Sequence, residues 1–437
     1  MKKMIASILT LILMFSCFAT AFGEEKVTLT FWSWEASALE SQAIQDGIDR
    51  FMEANPNINV EYMVVPKAEF HTKLKTAMAS GSAPDVFFLD AAYTRDFVNN
   101  GLLYDITDII GDYIDMDDLI PSSKEKVSIV DEEGNTHIYG MDICCVGPVI
   151  FYNKDLFEAA GVEPIPTKVE DRWTWDEFVE NMQKLTIVED GKTVQYGTSN
   201  WEESAVLYVM EYMLRLNGAK WFNDDFTAAD GVNSPETVEV FEKIKALRTE
   251  YGVAPDPTAA GMETGHSPTQ MFLSGKVASI AIGSYALQEI SQSGINYGAG
   301  LFPVLEGNND FIASADMKAI WSGTEHVDEA VKLLAYMSSE EFGIPIYQTG
   351  LWMPSRLSMY TPENMEKWFN RDVYPEGWED MVDMFKNSNG KWFDKIWNTQ
   401  QIFDSVDEEK EAYFYMDQPL DTTLDNIQNR INENLNK

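Results

Sequence analysis

Between residues 26 and 90, segments whose apolar residues recur every second position alternate with segments whose apolar residues recur at helical spacing. Segments with the two-residue period or a continuous apolar run predict strands, and segments with helical spacing predict helices. The order strand, helix, strand, helix, strand indicates an open α/β sheet with crossover helices. The expected elements are the strands Lys26–Trp32, Ile58–Val65 and Pro84–Asp90, with helices over Ile44–Met52 and Ala68–Ala79.

Polar and aromatic residues follow the first and third of these strands. Trp34 and Glu35 come just after the first strand, and Asp90 and Tyr93 after the third. Ligands of open α/β sheets bind beyond the carboxyl ends of the strands, so these four residues are candidate ligand contacts. Asp90 has an alternative role as the cap of the helix that follows it.

A second α/β unit begins near residue 146. A strand over Val146–Tyr152 leads into a helix, and Thr174 with Glu177 forms a capping box that starts another. Ser234 followed by Pro235 predicts a further helix start. Near residue 330, apolar residues fall on one helical face, namely Val327, Ala330, Val331, Leu334 and Met337.

The first 23 residues have the pattern of a secretory signal peptide. Lys2 and Lys3 precede an apolar run, and small residues precede a cleavage position after Gly23. Cys17 offers a lipid-anchor alternative, but Met14–Ser16 fits that signal poorly, so cleavage after Gly23 is favoured. No later stretch reaches the roughly 18 apolar residues that a spanning helix needs. We therefore expect an exported protein, periplasmic or associated with the cell surface.

Charge and cysteine content narrow the function further. The chain has 71 acidic and 32 basic residues, a net charge of −39, which disfavours nucleic acid and anionic membranes as partners. The negative net charge also disfavours a free anion as ligand, unless a local pocket of basic residues outweighs it.

After the signal peptide, the chain has two cysteines, the adjacent Cys144 and Cys145. A vicinal disulfide between them would be strained, so two thiols packed in a strand are expected.

Six segments, in their order and spacing, resemble the family 1 extracellular solute-binding proteins, the group that includes the maltose-binding protein. The resemblance covers nearly all of the chain after the signal. The segments are FWSW, SGSAPDVFFLDAAYTRDFVNNGLLYDIT, YGMDICCVGPVIFYNKDLFEAAG with TWDEF, MFLSGKVASIAIGSYALQEI, HVDEAVKLLAYMSSEEF and GLWMPSR.

This resemblance implies the two-lobed, type II periplasmic-binding-protein fold, an α/β fold whose lobes are joined by a three-segment hinge. Crossings are expected near Asp142–Gly147, Phe311–Asp316 and Tyr347–Pro354. Lobe 1 would then comprise residues 24–143 and 314–348, and lobe 2 residues 144–313 and 349–437. The implied protein is a monomer that closes its lobes on a carbohydrate, of two or more sugar units, and delivers it to the permease subunits of an ABC importer.

A sugar site needs flat aromatic rings for the C–H faces and carboxylates or amides for the hydroxyls. The resemblance supports Trp34, Glu35 and Asp90 and adds candidates in both lobes. Tyr285 stands where relatives often have a stacking Trp, and Asp316 where they more often have a small residue. The remaining candidates are Trp201, Glu202, Trp352 and Arg356, with alternative roles for Glu202 at a helix start and for Arg356 in a surface ion pair.

Two other functions are considered for this sequence, a secreted enzyme and a sensory component. A secreted carbohydrate-active enzyme is disfavoured because no nucleophile elbow, phosphate-binding loop or cysteine nucleophile setting occurs, and the four histidines lack metal-ligand spacing. No catalytic residue, metal or cofactor is therefore assigned. A sensory component that binds the same ligand without transport remains open, because capture needs the same chemistry in both.

Overall fold

The computed structural model describes residues 26–34, 37–131, 133–142, 144–202, 208–256, 267–306, 311–313, 317–396 and 399–435. The strands are β1 Val27–Trp34, β2 Ile58–Val65, β3 Val86–Leu89, β4 Ser128–Val130, β5 Thr136–Ile138, β6 Gly140–Asp142, β7 Cys144–Cys145, β8 Pro148–Asn153, β9 Ile187–Glu189, β10 Lys192–Gln195, β11 Ser279–Gly283, β12 Tyr297–Gly300, β13 Met317–Ile320 and β14 Met353–Pro354.

The helices of these ranges are α1 Ala38–Ala54, α2 Lys67–Ala79, α3 Ala91–Asn99, α4 Thr107–Ile110, α5 Pro121–Val127, α6 Lys154–Ala160, α7 Trp175–Leu185, α8 Tyr208–Leu216, α9 Pro235–Thr249, α10 Pro268–Leu273, α11 Leu287–Gln292, α12 Val327–Met337, α13 Glu340–Tyr347, α14 Pro362–Trp368, α15 Trp378–Lys386, α16 Thr399–Tyr415 and α17 Leu420–Leu435. Short 3-10 helices lie at Met116–Asp118, Val169–Asp171, Ser284–Ala286, Leu357–Tyr360 and Trp392–Lys395.

The first sheet has five strands in the order β2, β1, β3, β13, β6. Strand β1 pairs in parallel with β2 and β3, and β13 pairs antiparallel with β3 and β6. All four residues of β3 are buried, as expected for a strand covered by helices on both faces. The expected order of strands and helices over residues 26–90 is confirmed.

The first strand is longer than the sequence pattern predicts. Pairing with β2 continues through Ser33 with Val64 and Trp34 with Val65. Trp34 is therefore the last residue of β1, and the prediction that it lies past the strand is wrong. The alternation ends at Trp32 because Ser33 and Trp34 are both buried, so the period of two no longer marks the strand.

The second sheet has three antiparallel strands, in the order β11, β8, β12. Residues 140–142 and 317–320 belong to the first sheet, whereas residues 148–153, 279–283 and 297–300 form the second. The chain therefore leaves the first sheet, builds the second and returns. The capping box is present, since Thr174 accepts a hydrogen bond from the Glu177 amide and Glu177 accepts one from Thr174 N.

Strands β7 and β14 form a short pair of their own, and β7 lies in the chain between β6 of the first sheet and β8 of the second. Cys145 pairs with Met353 and Cys144 with Pro354. Both cysteines are buried and are not joined in a disulfide, so the expected pair of packed thiols is confirmed. Cys145 Sγ lies 3.6 Å from the carbonyl oxygen of Pro354, and burial raises the pKa of the Cys145 thiol.

Candidate functional site

The carboxyl ends of β1 and β3 hold an aromatic cluster. The Trp34 ring is only 2% exposed and meets Phe70 and Phe88 edge-on, with ring centroids 5.2 and 5.1 Å away. Asp90 directly follows β3 and is half-buried, as is Tyr93 in the first turn of α3. Because β1 and β3 are parallel, three of the four predicted residues lie at the same sheet edge; Glu35 lies outside the described residues.

His71 of α2 belongs to this cluster and is not among the predicted residues. Its ring stacks on Tyr93 at 3.9 Å between centroids and tilts against Trp34 at 5.7 Å. Burial lowers the pKa of His71 to about 4, although Asp90 acts in the opposite direction. Its buried Nε2 has no hydrogen-bond partner among the described residues. The imidazole is therefore neutral near pH 7.

A chain of hydrogen bonds joins this sheet edge to two later segments. Ser37 Oγ donates to Gln288 Oε1 at 2.6 Å, and Gln288 Nε2 donates to Thr349 Oγ1 at 2.9 Å. We call these three residues the bridging trio. Ser37 also caps α1, because its Oγ accepts from Glu40 N at 3.0 Å.

The bridging trio brings three predicted aromatic residues into one region. Trp34 lies three residues before Ser37, Tyr285 three before Gln288, and Trp352 three after Thr349. A three-residue stretch spans at most about 10 Å. The Cα atom of each aromatic residue therefore lies within about 10 Å of the Cα atom of one member of the trio, although the three residues come from distant parts of the chain.

Tyr285 is the exposed ring of this region, with 39% of its surface accessible. It follows β11, whose last residue is Gly283. A Cβ at Gly283 would lie 2.3 Å from Cε1 of Tyr285 and 3.1 Å from Cε1 of Tyr208. The glycine thus lets two tyrosine rings lie against the same backbone. Tyr208, which begins α8, was not among the predicted residues.

Trp352 connects to the first sheet through a lysine. The Lys318 ammonium of β13 lies 4.5 Å from the Phe88 ring centroid and 5.3 Å from that of Trp352. Phe88 in turn packs on Trp34. A path of contacts therefore runs from Trp34 through Phe88 and the Lys318 ammonium group to Trp352, just before β14.

Three other predicted residues have different surroundings. Trp201 is fully buried, its indole N–H donates to Thr198 Oγ1 at 2.7 Å, and its ring meets Trp175, Phe178 and Phe302. The next residue, Glu202, pairs with Arg248 at 3.1 Å, and burial raises its pKa. These two residues lie in a turn within the core around the second sheet.

Arg356 is occupied by backbone and acid groups near the strand pair. Its Nε and Nη2 donate to the Ser338 carbonyl oxygen at 3.0 and 2.6 Å, and its Nη1 lies 3.8 Å from Asp118 Oδ2. The alternative role in an ion pair therefore matches its described contacts. Asp316 lies outside the described residues.

A cavity of about 660 Å³ opens elsewhere, beside α15. Its walls contain Glu379, Asp380 and Asp383, and its apolar side includes Phe311 and Met384. None of the predicted ligand contacts lines this cavity, so it is separate from the aromatic region at the bridging trio.

Comparison with known proteins agrees with this architecture. A family described as bacterial extracellular solute-binding protein matches residues 36–343. This chain belongs to that family. A binding protein of Brucella abortus is 22% identical over 84% of this chain and 87% of its own length. The sn-glycerol-3-phosphate-binding periplasmic protein of Brucella melitensis is 27% identical over 65% of this chain and 64% of its own.

Solved structures show the same fold. The ABC substrate-binding protein from Listeria monocytogenes in complex with cycloalternan has a TM-score of 0.78 at 24% identity, covering 93% of this chain and 98% of that one. Maltose-bound MalE3 of T. maritima has a TM-score of 0.76 at 19% identity, with coverages of 93% and 99%. The expected type II periplasmic-binding-protein fold is confirmed. No helix in the described part of the chain is long and apolar enough to cross a membrane.

Proposed function

We propose that this solute-binding protein captures a carbohydrate of two or more sugar units and delivers it to an ABC importer. The observation that supports this most is the convergence of Trp34, Tyr285 and Trp352 on the bridging trio. Aromatic rings suit the C–H faces of a sugar, and the neighbouring amide, hydroxyls and carboxylate suit its hydroxyl groups. The sugars named for the Listeria and T. maritima structures are consistent with this ligand class.

The proposed contacts are Trp34, Asp90, Tyr93, Tyr285 and Trp352, with Tyr208 added from the structure. Glu35 and Asp316 stay as proposals from the sequence. Trp201, Glu202 and Arg356 are left out of the proposed set because their described contacts, with Phe178, Arg248 and the Ser338 carbonyl, do not involve the bridging trio or the aromatic residues next to it.

The proposed mechanism is closure of two lobes, 24–143 with 314–348 and 144–313 with 349–437, about the crossings predicted above. Under these boundaries, Ser37 belongs to lobe 1 and Gln288 to lobe 2, so their hydrogen bond spans the cleft. A ligand that touches both lobes binds the closed state better and shifts the population towards it. The permease subunits would then recognise the closed protein.

We also propose that the protein acts as a monomer outside the cytoplasm, after removal of residues 1–23. These residues and Cys17 lie outside the described part of the chain. Size-exclusion chromatography with light scattering, and amino-terminal sequencing of the exported protein, test these two points separately.

A thermal-shift screen against neutral and acidic di- and oligosaccharides tests the proposed ligand class. We expect at least one to raise the melting temperature. Tyr285→Ala and Trp352→Ala should then weaken binding of that sugar, because each removes a ring face. Tyr113→Ala is the matched control, since Tyr113 is an exposed aromatic residue elsewhere, with 48% of its surface accessible. Unchanged affinity in both test variants would remove these residues from the site.

A further inference from the structure

A short segment near the carboxyl terminus contacts helices of both sheets. Residues 388–395, which we call the clasp, lie between α15 and α16 and include the 3-10 helix Trp392–Lys395. Helix α8 packs on β8 and β11 of the second sheet, whereas α5 packs on β6 of the first. The clasp binds to both helices, so it joins the two sheets by contacts that lie outside the predicted crossings.

On the second-sheet side, the clasp is held by a buried ion pair of α8. The carbonyl oxygen of Gly390 accepts a hydrogen bond from Arg215 Nη2 at 2.8 Å. The Trp392 amide donates to Glu211 Oε1 at 2.7 Å. Arg215 and Glu211 also pair with each other at 2.8 Å, and both are buried. Because a buried charged group that loses a hydrogen-bond partner destabilises the protein, this side of the clasp should stay attached to α8.

The clasp also pairs with the segment expected to form the second crossing. The Asn389 amide donates to the Phe311 carbonyl oxygen at 2.9 Å, and the Ala313 amide donates to the Asn389 carbonyl oxygen at 3.0 Å. Residues 311–313 belong to lobe 2 under the proposed boundaries, as does α8. The clasp is therefore attached to lobe 2 at two places.

On the first-sheet side, the clasp is held by two residues of α5. Ser122 Oγ lies 2.8 Å from Ser388 Oγ. Glu125 Oε2 accepts a hydrogen bond from Gly390 N at 3.1 Å and lies 3.1 Å from the Lys395 ammonium group. The side chains of Glu125 and Lys395 are 40% and 32% exposed. Water can therefore replace both Glu125 contacts if α5 moves away from the clasp.

These contacts occur together with the cleft-spanning hydrogen bond from Ser37 to Gln288. Rotation of one lobe against the other moves α5 relative to α8. Since the clasp is attached to α8, such a rotation lengthens or breaks its bonds to α5. An interaction that is made in one conformation and lost in another shifts the population towards the first. The contacts between the clasp and α5 should therefore favour the closed lobes.

We propose that Glu125 is a positioning residue for ligand capture, which limits how far the lobes open by holding the clasp against α5. This inference rests on the proposed closure of two lobes. It adds to that closure a contact that controls its extent. Glu125 acts on affinity through the orientation of the lobes, and its described partners are Gly390 and Lys395 of the clasp.

Distances between spin labels on the two lobes, measured by double electron–electron resonance, test this inference without any ligand. Labels are attached at Glu61→Cys of β2 and Glu158→Cys of α6, which are exposed positions in lobe 1 and lobe 2. Cys144 and Cys145 are buried and should stay unlabelled. The wild-type distance distribution is then compared with those of variants at the contact between α5 and the clasp.

Two variants break the contact from opposite sides. Glu125→Ala removes the carboxylate. Gly390→Ala places a Cβ 2.8 Å from Glu125 Oε2, so the flexible carboxylate side chain moves aside at little cost to folding. Both variants should shift the distances to longer values in the absence of sugar. Glu125→Gln keeps an oxygen that can accept from Gly390 N and should stay close to wild type, and Glu53→Ala, at an exposed position of α1, is the control.

Sugar affinity provides a second measurement. Glu125→Ala should bind the sugar identified by thermal shift about 5-fold more weakly, because the closed state loses a contact equivalent to about one hydrogen bond. Isothermal titration calorimetry measures this change, and Glu53→Ala should bind with wild-type affinity.

Failure of this inference is distinguishable from failure of the proposed closure. Distances that are unchanged or shorter in both Glu125→Ala and Gly390→Ala would overturn the role of the clasp, and closure would stand if sugar shortens the wild-type distances. Wild-type distances that stay the same on addition of a sugar that raises the melting temperature would overturn both.

Discussion

Replacement of Gln288 by alanine is the sharpest test of the bridging trio. The change removes the 2.6 Å hydrogen bond from Ser37 and the 2.9 Å bond to Thr349. Under the proposed lobe boundaries, only the bond from Ser37 joins the two lobes. Ser37 keeps its capping bond to Glu40 N, so α1 should stay intact.

The expected magnitude follows from the single bond that spans the cleft. A neutral hydrogen bond contributes about 1 kcal/mol net, which corresponds to about a 5-fold change in the ratio of closed to open protein. Where the open state predominates without ligand, the apparent dissociation constant rises by the same factor. We therefore expect Gln288→Ala to bind its sugar about 5-fold more weakly.

Isothermal titration calorimetry on the sugar identified by thermal shift measures this change. Gln292→Ala is the matched control, because Gln292 is an exposed glutamine at the end of the same helix, α11. Affinity should be unchanged in the control. Equal affinity of wild type and Gln288→Ala, with both variants folded, would refute the view that the trio favours closure.

Three further predictions concern single residues. Burial lowers the pKa of His71 to about 4, from 6.5 for a free histidine. Between pH 6.5 and pH 4 the unfolded chain therefore binds a proton at His71 that the folded protein does not. Up to about 3 kcal/mol of the free energy of unfolding is lost as the pH falls through this range. Urea unfolding of His71→Gln should show a smaller loss over this window, and parallel pH profiles would contradict the assignment. Gly283→Ala should weaken sugar binding in calorimetry with little change in melting temperature, since the new methyl group displaces the Tyr285 ring; unchanged affinity would count against that ring as a contact. Trp201→Ala should lower the free energy of unfolding by about 3–5 kcal/mol, measured by urea titration, and a loss below 1 kcal/mol would be inconsistent with its core position.

The sequence predicts the first sheet well because its apolar periods are clear and its strands follow one another closely. The same reasoning ends β1 two residues early, since burial of both Ser33 and Trp34 breaks the alternation that marks a half-buried strand. A strand that becomes buried on both faces loses its periodic signal.

The site is only partly predictable for a different reason. Strand ends identify Trp34 and Asp90, but His71, Tyr208 and Gln288 reach the region only through tertiary packing. His71 lies in the expected helix over Ala68–Ala79, but nothing in the local sequence marks it as a site residue. No local pattern distinguishes Gln288 from other helical glutamines, and its contacts come from residues more than 60 positions away.

Trp201 shows that a residue expected to contact ligand from the family resemblance can instead pack in the core. An aromatic residue near the start of a lobe 2 helix is a reasonable ligand contact by resemblance. Here Thr198 satisfies its indole N–H and three rings enclose it. Whether an aromatic residue faces core or cleft depends on the neighbouring segments that cover it, and these are not adjacent in sequence.

Small-angle X-ray scattering with and without saturating sugar tests the central claim most directly. If two lobes close around the ligand, the radius of gyration of the wild-type protein should fall when sugar is added, and it should return when the sugar is removed by dialysis. An unchanged radius of gyration, at a sugar concentration where calorimetry shows the site to be full, would contradict capture by closure.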